Sequence, residues 1–102
     1  MIKIKEKDNK IIISGHASFD EYGKDIVCAS VSSIVITSIN AILRYNNKAI
    51  KYTNGDELVI EILKKDEIVN LLITNMLELL KELEKQYPKN IRRCWLCLNW
   101  CN

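Results

Sequence analysis

The chain opens with Ile2 and Ile4 alternating with Lys3 and Lys5, continues through a polar stretch from Glu6 to Lys10, and then reaches Ile11-Ile12-Ile13. Alternation is the period of a strand with opposite faces in different surroundings, and two such runs joined through Asp8-Asn9 predict a hairpin. The second strand ends at Ser14-Gly15, just before His16. From Ile26 to Leu43 the chain is mostly apolar and rich in β-branched residues, which by propensity alone fits a strand. Length decides for a helix. The segment outlasts an ordinary strand, Asp25 stands where an N-cap belongs, and Val27, Val31, Ile34, Val35, Ser38 and Ile42 recur at helical spacing. Hydroxyl residues between Ser30 and Ser38 argue against a membrane span, which needs about 20 mostly apolar residues, so a core helix is expected.

A third strand follows at Ala49 to Tyr52, and Leu58 to Leu63 makes the fourth. Asn54-Gly55 between them supplies the positive φ of a tight hairpin turn. Asp66 then caps a second helix, in which Val69, Leu72, Ile73, Met76, Leu80 and Leu83 form one face while Glu78, Lys81, Glu82 and Lys85 face water. Pro88 marks its end. The order strand-strand-helix, repeated, predicts an α+β fold. We expect a two-layer sandwich with a largely antiparallel sheet of four or five strands and both helices on one face. The domain is expected to span residues 1–91, followed by an atypical Cys/Trp-rich tail over 92–102 that has the capacity to add a strand.

Composition narrows the class. At 102 residues and 48% hydrophobic, the chain has the size and apolar content of one folded domain. Its formal charge of +2 is too small to argue for a nucleic-acid or membrane-surface protein, and names no partner. The start of the chain carries no run resembling a secretory signal, so a cytoplasmic location is expected. Three of the four cysteines lie at Cys94, Cys97 and Cys101, which is not the distribution of a disulfide framework.

The chemistry gathers around two residues. His16 is the single histidine, and Cys28 is the single cysteine outside the tail, three residues after the expected cap Asp25. A thiol in the first turn of a helix feels unpaired N–H groups and the positive end of the helix dipole, both favouring thiolate. A nearby imidazole takes the thiol proton and returns one to a leaving amine, and helix N-terminal amides stabilise an oxyanion. The segment Ala17 to Lys24 is long enough to fold back and bring His16 beside Cys28, or to cover a substrate. The plainer alternatives are a buried structural thiol and a structural or exposed histidine. Asp25 serves as a helix cap or orients His16. Ser32, one turn beyond Cys28, hydrogen-bonds near the thiol or back-bonds to its own helix.

Gly15-His16-Ala17 after a strand, with Tyr22-Gly23-Lys24-Asp25-Ile26-Val27-Cys28-Ala29-Ser30-Val31-Ser32 opening a helix, resembles the ribosomal-processing cysteine protease Prp family. The likeness runs over residues 1 to 90 and includes Asn54-Gly55 and the second helix ending before Tyr87-Pro88. It implies a small homodimeric cytoplasmic endopeptidase that removes the N-terminal extension of the large-subunit ribosomal protein numbered twenty-seven. It further implies Cys28 as nucleophile and His16 as general base, with Asp25 and Ser32 as supporting positions. No cofactor is expected, and neither a membrane nor direct contact with nucleic acid is required. Ser30 stands where the family commonly has alanine, and Arg92 to Asn102 replaces a polar, often acidic strand. The spacing Cys94-x-x-Cys97-x-x-x-Cys101 offers three thiolates for zinc or an iron-sulfur cluster but lacks a fourth ligand nearby. Two tryptophans and three cysteines so close together fit a shifted reading frame or an engineered addition better. The rival reading from another class is a noncatalytic ribosome-associated binding module with a buried thiol.

Overall fold

The computed structural model describes residues 2–15 and 24–94, with the backbone alone at 24, 25, 93 and 94. The elements follow the order β1 (Ile2–Lys7), β2 (Lys10–Ser14), α1 (Lys24–Tyr45), β3 (Ile50–Asn54), β4 (Leu58–Ile62), α2 (Glu67–Gln86) and β5 (Ile91–Cys94). The five strands form one sheet in the order β3-β4-β2-β1-β5, antiparallel throughout except for β5 beside β1. The tail therefore begins as a fifth strand: Ile91 sits beside Ile2, and Arg92 beside Lys3. This parallel edge is reached from β4 through α2, the long crossover that parallel pairing requires.

Strand alternation sorts the sheet into two faces. Ile2, Ile4, Ile11, Ile50, Ile60 and Ile91 are buried in one core with residues of both helices. The alternate positions Lys3, Lys5, Lys10, Lys51 and Arg92 occupy the opposite face, and none of them is buried. From α1 the core takes Val27, Val31, Val35, Ile39 and Ile42. The Ile26–Tyr45 segment is apolar and long enough to cross a membrane by length and composition, with a mean hydropathy of 2.1. Here it is the core helix the hydroxyl residues pointed to. Ser38 is buried among its apolar neighbours because its Oγ donates to the Ile34 carbonyl at 2.8 Å, satisfying a hydroxyl that would be costly to bury unpaired.

Turns set the frame. Asp8 takes a φ of 54°, the left-handed conformation that a two-residue link between Lys7 and Lys10 needs and that Asp tolerates better than most side chains. The second hairpin differs from expectation. Asn54 pairs with Leu58, leaving a three-residue loop, and Gly55 does not adopt a positive φ. The loop is instead held by the Gly55 N–H donating to the Glu57 carbonyl at 3.1 Å, so the extra residue removes the need for a left-handed turn.

The helix boundaries carry one confirmation and one correction. Asp66 caps α2, its Oδ1 accepting from the Val69 N–H at 2.9 Å, while its Oδ2 accepts from the Tyr45 hydroxyl at 2.6 Å. One carboxylate thus ties the end of α1 to the start of α2. At the start of α1, Asp25 is not the cap: the helix already includes Lys24, so Asp25 is its second residue, and its side chain lies outside the described residues.

Candidate active site

Cys28 is the fifth residue of α1, which places it one position past the four N–H groups that a helix leaves unpaired. Its Cα–Cβ bond is tilted toward the helix N-terminus, as in any α-helix, so the thiol leans over the first turn and stays within reach of the positive end of the dipole. The side chain is half-buried and packs against the core cluster. This is the environment of a thiol held by the scaffold yet reachable from outside.

A groove of about 440 Å³ opens beside it, within the range of ligand-binding clefts. Three parts of the fold build it. From α1 come Cys28, Ser32 and Ile36, spaced four residues apart and therefore aligned along one side of the helix. From the sheet come the apolar side chains Ile2, Ile13 and Leu58. Asn54 at the end of β3 and Gly55 and Asp56 of the β3–β4 loop complete the lining. A cleft with an apolar floor, a thiol on one wall and a carboxylate at the rim suits an extended peptide better than a compact polar metabolite.

Of the residues singled out from sequence, Cys28 and Ser32 meet in this groove. His16 lies outside the described residues, as does the segment that follows it, but its covalent neighbour Gly15 lines the groove. Gly15 has a φ of 84°, a backbone conformation that glycine reaches without steric cost, so the chain turns off the extended path of β2 at the groove wall. Cys97 and Cys101 also lie outside the described residues, and among the described residues no group of three or more His, Cys, Asp or Glu side chains is placed to hold a metal ion.

Sequence reasoning missed two contributors. Ile36 was legible in principle, since it continues the four-residue spacing from Cys28 through Ser32. The Asn54–Asp56 loop was not. It lines the same groove as Cys28 because β4 pairs with β2, a long-range choice with no local imprint.

Comparison with known proteins fits this geometry. Residues 1–92 match the family model of the cysteine protease Prp. The ribosomal processing cysteine protease Prp of Staphylococcus aureus is 36% identical over 90 residues, covering 84% of this chain and 85% of that protein. A crystal structure of the essential ribosomal processing protease Prp from S. aureus with a covalently linked product peptide superposes with a TM-score of 0.82 at 30% identity, covering 93% of this chain and 99% of that one. The same protease in complex with a substrate peptide gives 0.83 at 28% identity, with the same coverage. With a half-buried thiol on a groove-lining helix and a family match over almost its whole length, the chain belongs to the cysteine protease Prp family.

Proposed function

We propose that this cysteine protease removes the N-terminal extension of the large-subunit ribosomal protein numbered twenty-seven, in the cytoplasm and as a homodimer. Cys28 is the nucleophile and His16 the general base. The observation that carries the reading is the half-buried Cys28 on the wall of a groove whose other side is sheet. The relatives' role in ribosomal processing, and the peptides bound in the S. aureus structures, support a ribosomal protein as substrate.

In this mechanism the peptide lies along α1 with its scissile carbonyl beside Cys28. His16 takes the thiol proton, and the sulfur attacks the carbonyl carbon to give a tetrahedral intermediate whose oxyanion faces the helix N-terminus. As the carbon–nitrogen bond breaks, the His16 imidazolium gives its proton to the leaving amine. Water, deprotonated by the same imidazole, then hydrolyses the thioester and restores the thiol. Asp25, in the first turn, and Ser32, one turn beyond Cys28, support the pair, Ser32 from the groove wall itself. A binding module without catalysis would have no use for a half-buried thiol on the wall of the groove.

The test is mass-spectrometric detection of cleavage of a peptide spanning the extension, by the wild-type chain and by Cys28→Ala and His16→Ala. Each substitution is expected to lower the rate by more than about 10³-fold, the scale seen when a nucleophile or its base is removed, while the thermal melt persists. Cleavage retained by either folded variant removes the pair. Cleavage of unrelated peptides at equal rates removes the substrate assignment and leaves the chemistry.

A further inference from the structure

The modest net charge of this protein conceals a sorted one. Lys3, Lys5, Lys7, Lys10, Lys51 and Arg92 occupy the sheet face turned away from the helices, where Glu61 is the one carboxylate at a described strand position. Register sets Lys3 beside Arg92, Lys7 beside Lys10, and Glu61 between Lys10 and Lys51. Of the exposed acids, Asp8 sits in the β1–β2 turn between Lys7 and Lys10, Asp66 precedes α2, Glu67, Glu78 and Glu82 lie on α2, and Asp56 and Glu57 lie in the β3–β4 loop. Alternate residues of a strand stand about 6.7 Å apart and neighbouring strands about 4.8 Å, so the cations are spread across the face, with a hollow at the β1–β2 end lined by Lys7, Asp8, Asn9, Lys10, Ile12 and Glu61.

Five of the six are lysines, compact point charges suited to phosphate oxygens and poor at reading base edges. The middle of the face holds Ile12 and Val59, both half-buried, and no described outward strand position carries an aromatic side chain on which an unpaired base would stack. A second copy of the chain is a poor occupant, because face-to-face contact would oppose like charges. We propose that this open sheet face binds the phosphate backbone of a structured RNA, without regard to base sequence. The peptide groove lies on the helix side of the same sheet, among Ile2, Ile13 and Leu58, so both ligands fit at once. The inference does not depend on which peptide is cleaved.

The test uses the full chain and a fluorescein-labelled RNA hairpin, with binding read by fluorescence anisotropy as salt is raised from about 50 to about 200 mM. Affinity should fall steeply with salt, by close to one unit of logarithmic slope per phosphate neutralised. The variant Lys3→Gln/Lys5→Gln/Lys10→Gln should bind at least about tenfold more weakly and lose about two to three units of that slope. A control with the same charge change, Lys64→Gln/Lys65→Gln/Lys85→Gln, should bind almost as wild type. Thermal unfolding checks the fold of both, and peptide cleavage should be unchanged in both. Equal loss in the two variants, no binding at the lowest salt, or preference for phosphatidylglycerol vesicles or an acidic polypeptide over the hairpin would overturn the proposal.

Discussion

The two helices lie in one layer with similar lengths, 22 residues in α1 and 20 in α2, yet their solvent sides are built differently. On α2, charged residues such as Glu78, Glu82 and Lys85 share the outer arc with the exposed Ile68, Leu71 and Leu79, while Val69, Ile73, Met76, Leu77 and Leu80 are buried. From Ile26 to Leu43, α1 carries no charge at all, and its outward positions apart from Asn40 are small, hydroxylic or apolar, including Ile36, which is 37% exposed. The contrast has a physical cause. A helix that only packs needs one apolar stripe and is free to carry charge elsewhere, whereas a helix that also walls a groove commits a second, uncharged stripe to the ligand. On α1 that second stripe is Cys28, Ser32 and Ile36.

Substitutions on adjacent residues of α2 give the largest test of this contrast. Leu80 is fully buried and Leu79 is 44% exposed. Leu80→Ala should cost about 2 to 5 kcal/mol in denaturant unfolding, through lost transfer energy and a residual cavity, and Leu79→Ala less than about 0.5 kcal/mol. Similar costs at both positions would mean that the outer arc of α2 is covered in solution. On α1 the expectation is reversed in kind. Ile36→Ala should leave stability within about 0.5 kcal/mol yet lower kcat/KM for the peptide by about tenfold, mainly through KM, because the lost contact is made to the ligand rather than to the core. A melt that drops sharply with unchanged kinetics would return Ile36 to a packing role.

The smallest effect sits where the helices are joined. The Tyr45 hydroxyl bond to Asp66 raises the tyrosine above its usual value of 10.0, and that bond, with the Val69 N–H, lowers the aspartate below its usual 3.8. The signs follow from linkage. The Asp66 contribution is complete above the unfolded aspartate value and is lost as pH falls through the lowered folded one. The Tyr45 contribution is complete below 10.0 and is lost as pH rises through the raised folded one. Denaturation midpoints should therefore be level near neutrality and decline at both extremes, and Tyr45→Phe should flatten the alkaline arm and part of the acid one. Both groups are solvent-exposed, so the change should be slight, and an unaltered alkaline arm in the variant would show that the bond does not persist in water.

Element identity was largely legible because its signals are local. Asp66 bonds the N–H three residues on, Asp8-Asn9 turns within four residues, and the apolar spacing of α2 repeats within each turn. Where expectation slipped, a local rule met a competing local option. Asn54-Gly55 promised a two-residue turn, but pairing of Asn54 with Leu58 gave three residues and another backbone path. Asp25 has the chemistry of a cap, but the helix starts one residue before it. Core residues Ile39 and Leu77 escaped a one-stripe reading because each helix buries an arc wider than a single line of positions. For the site, Cys28 and Ser32 could be singled out from helical spacing, and Ile36 from its extension, since all three share one element.

By itself, then, the sequence determined the elements, their order, the thiol near the start of α1 and the family, because each is encoded by neighbours along the chain or by a contiguous motif. Tertiary structure alone decided that β4 lies beside β2 and β5 beside β1. Those pairings carry the Asn54–Asp56 loop to the groove and gather scattered lysines onto one open face. The physical reason is that a strand's backbone can pair with many partners, and the choice among them is made by burial of Ile2, Ile11, Ile60 and Ile91 in a common core rather than by anything local to each strand.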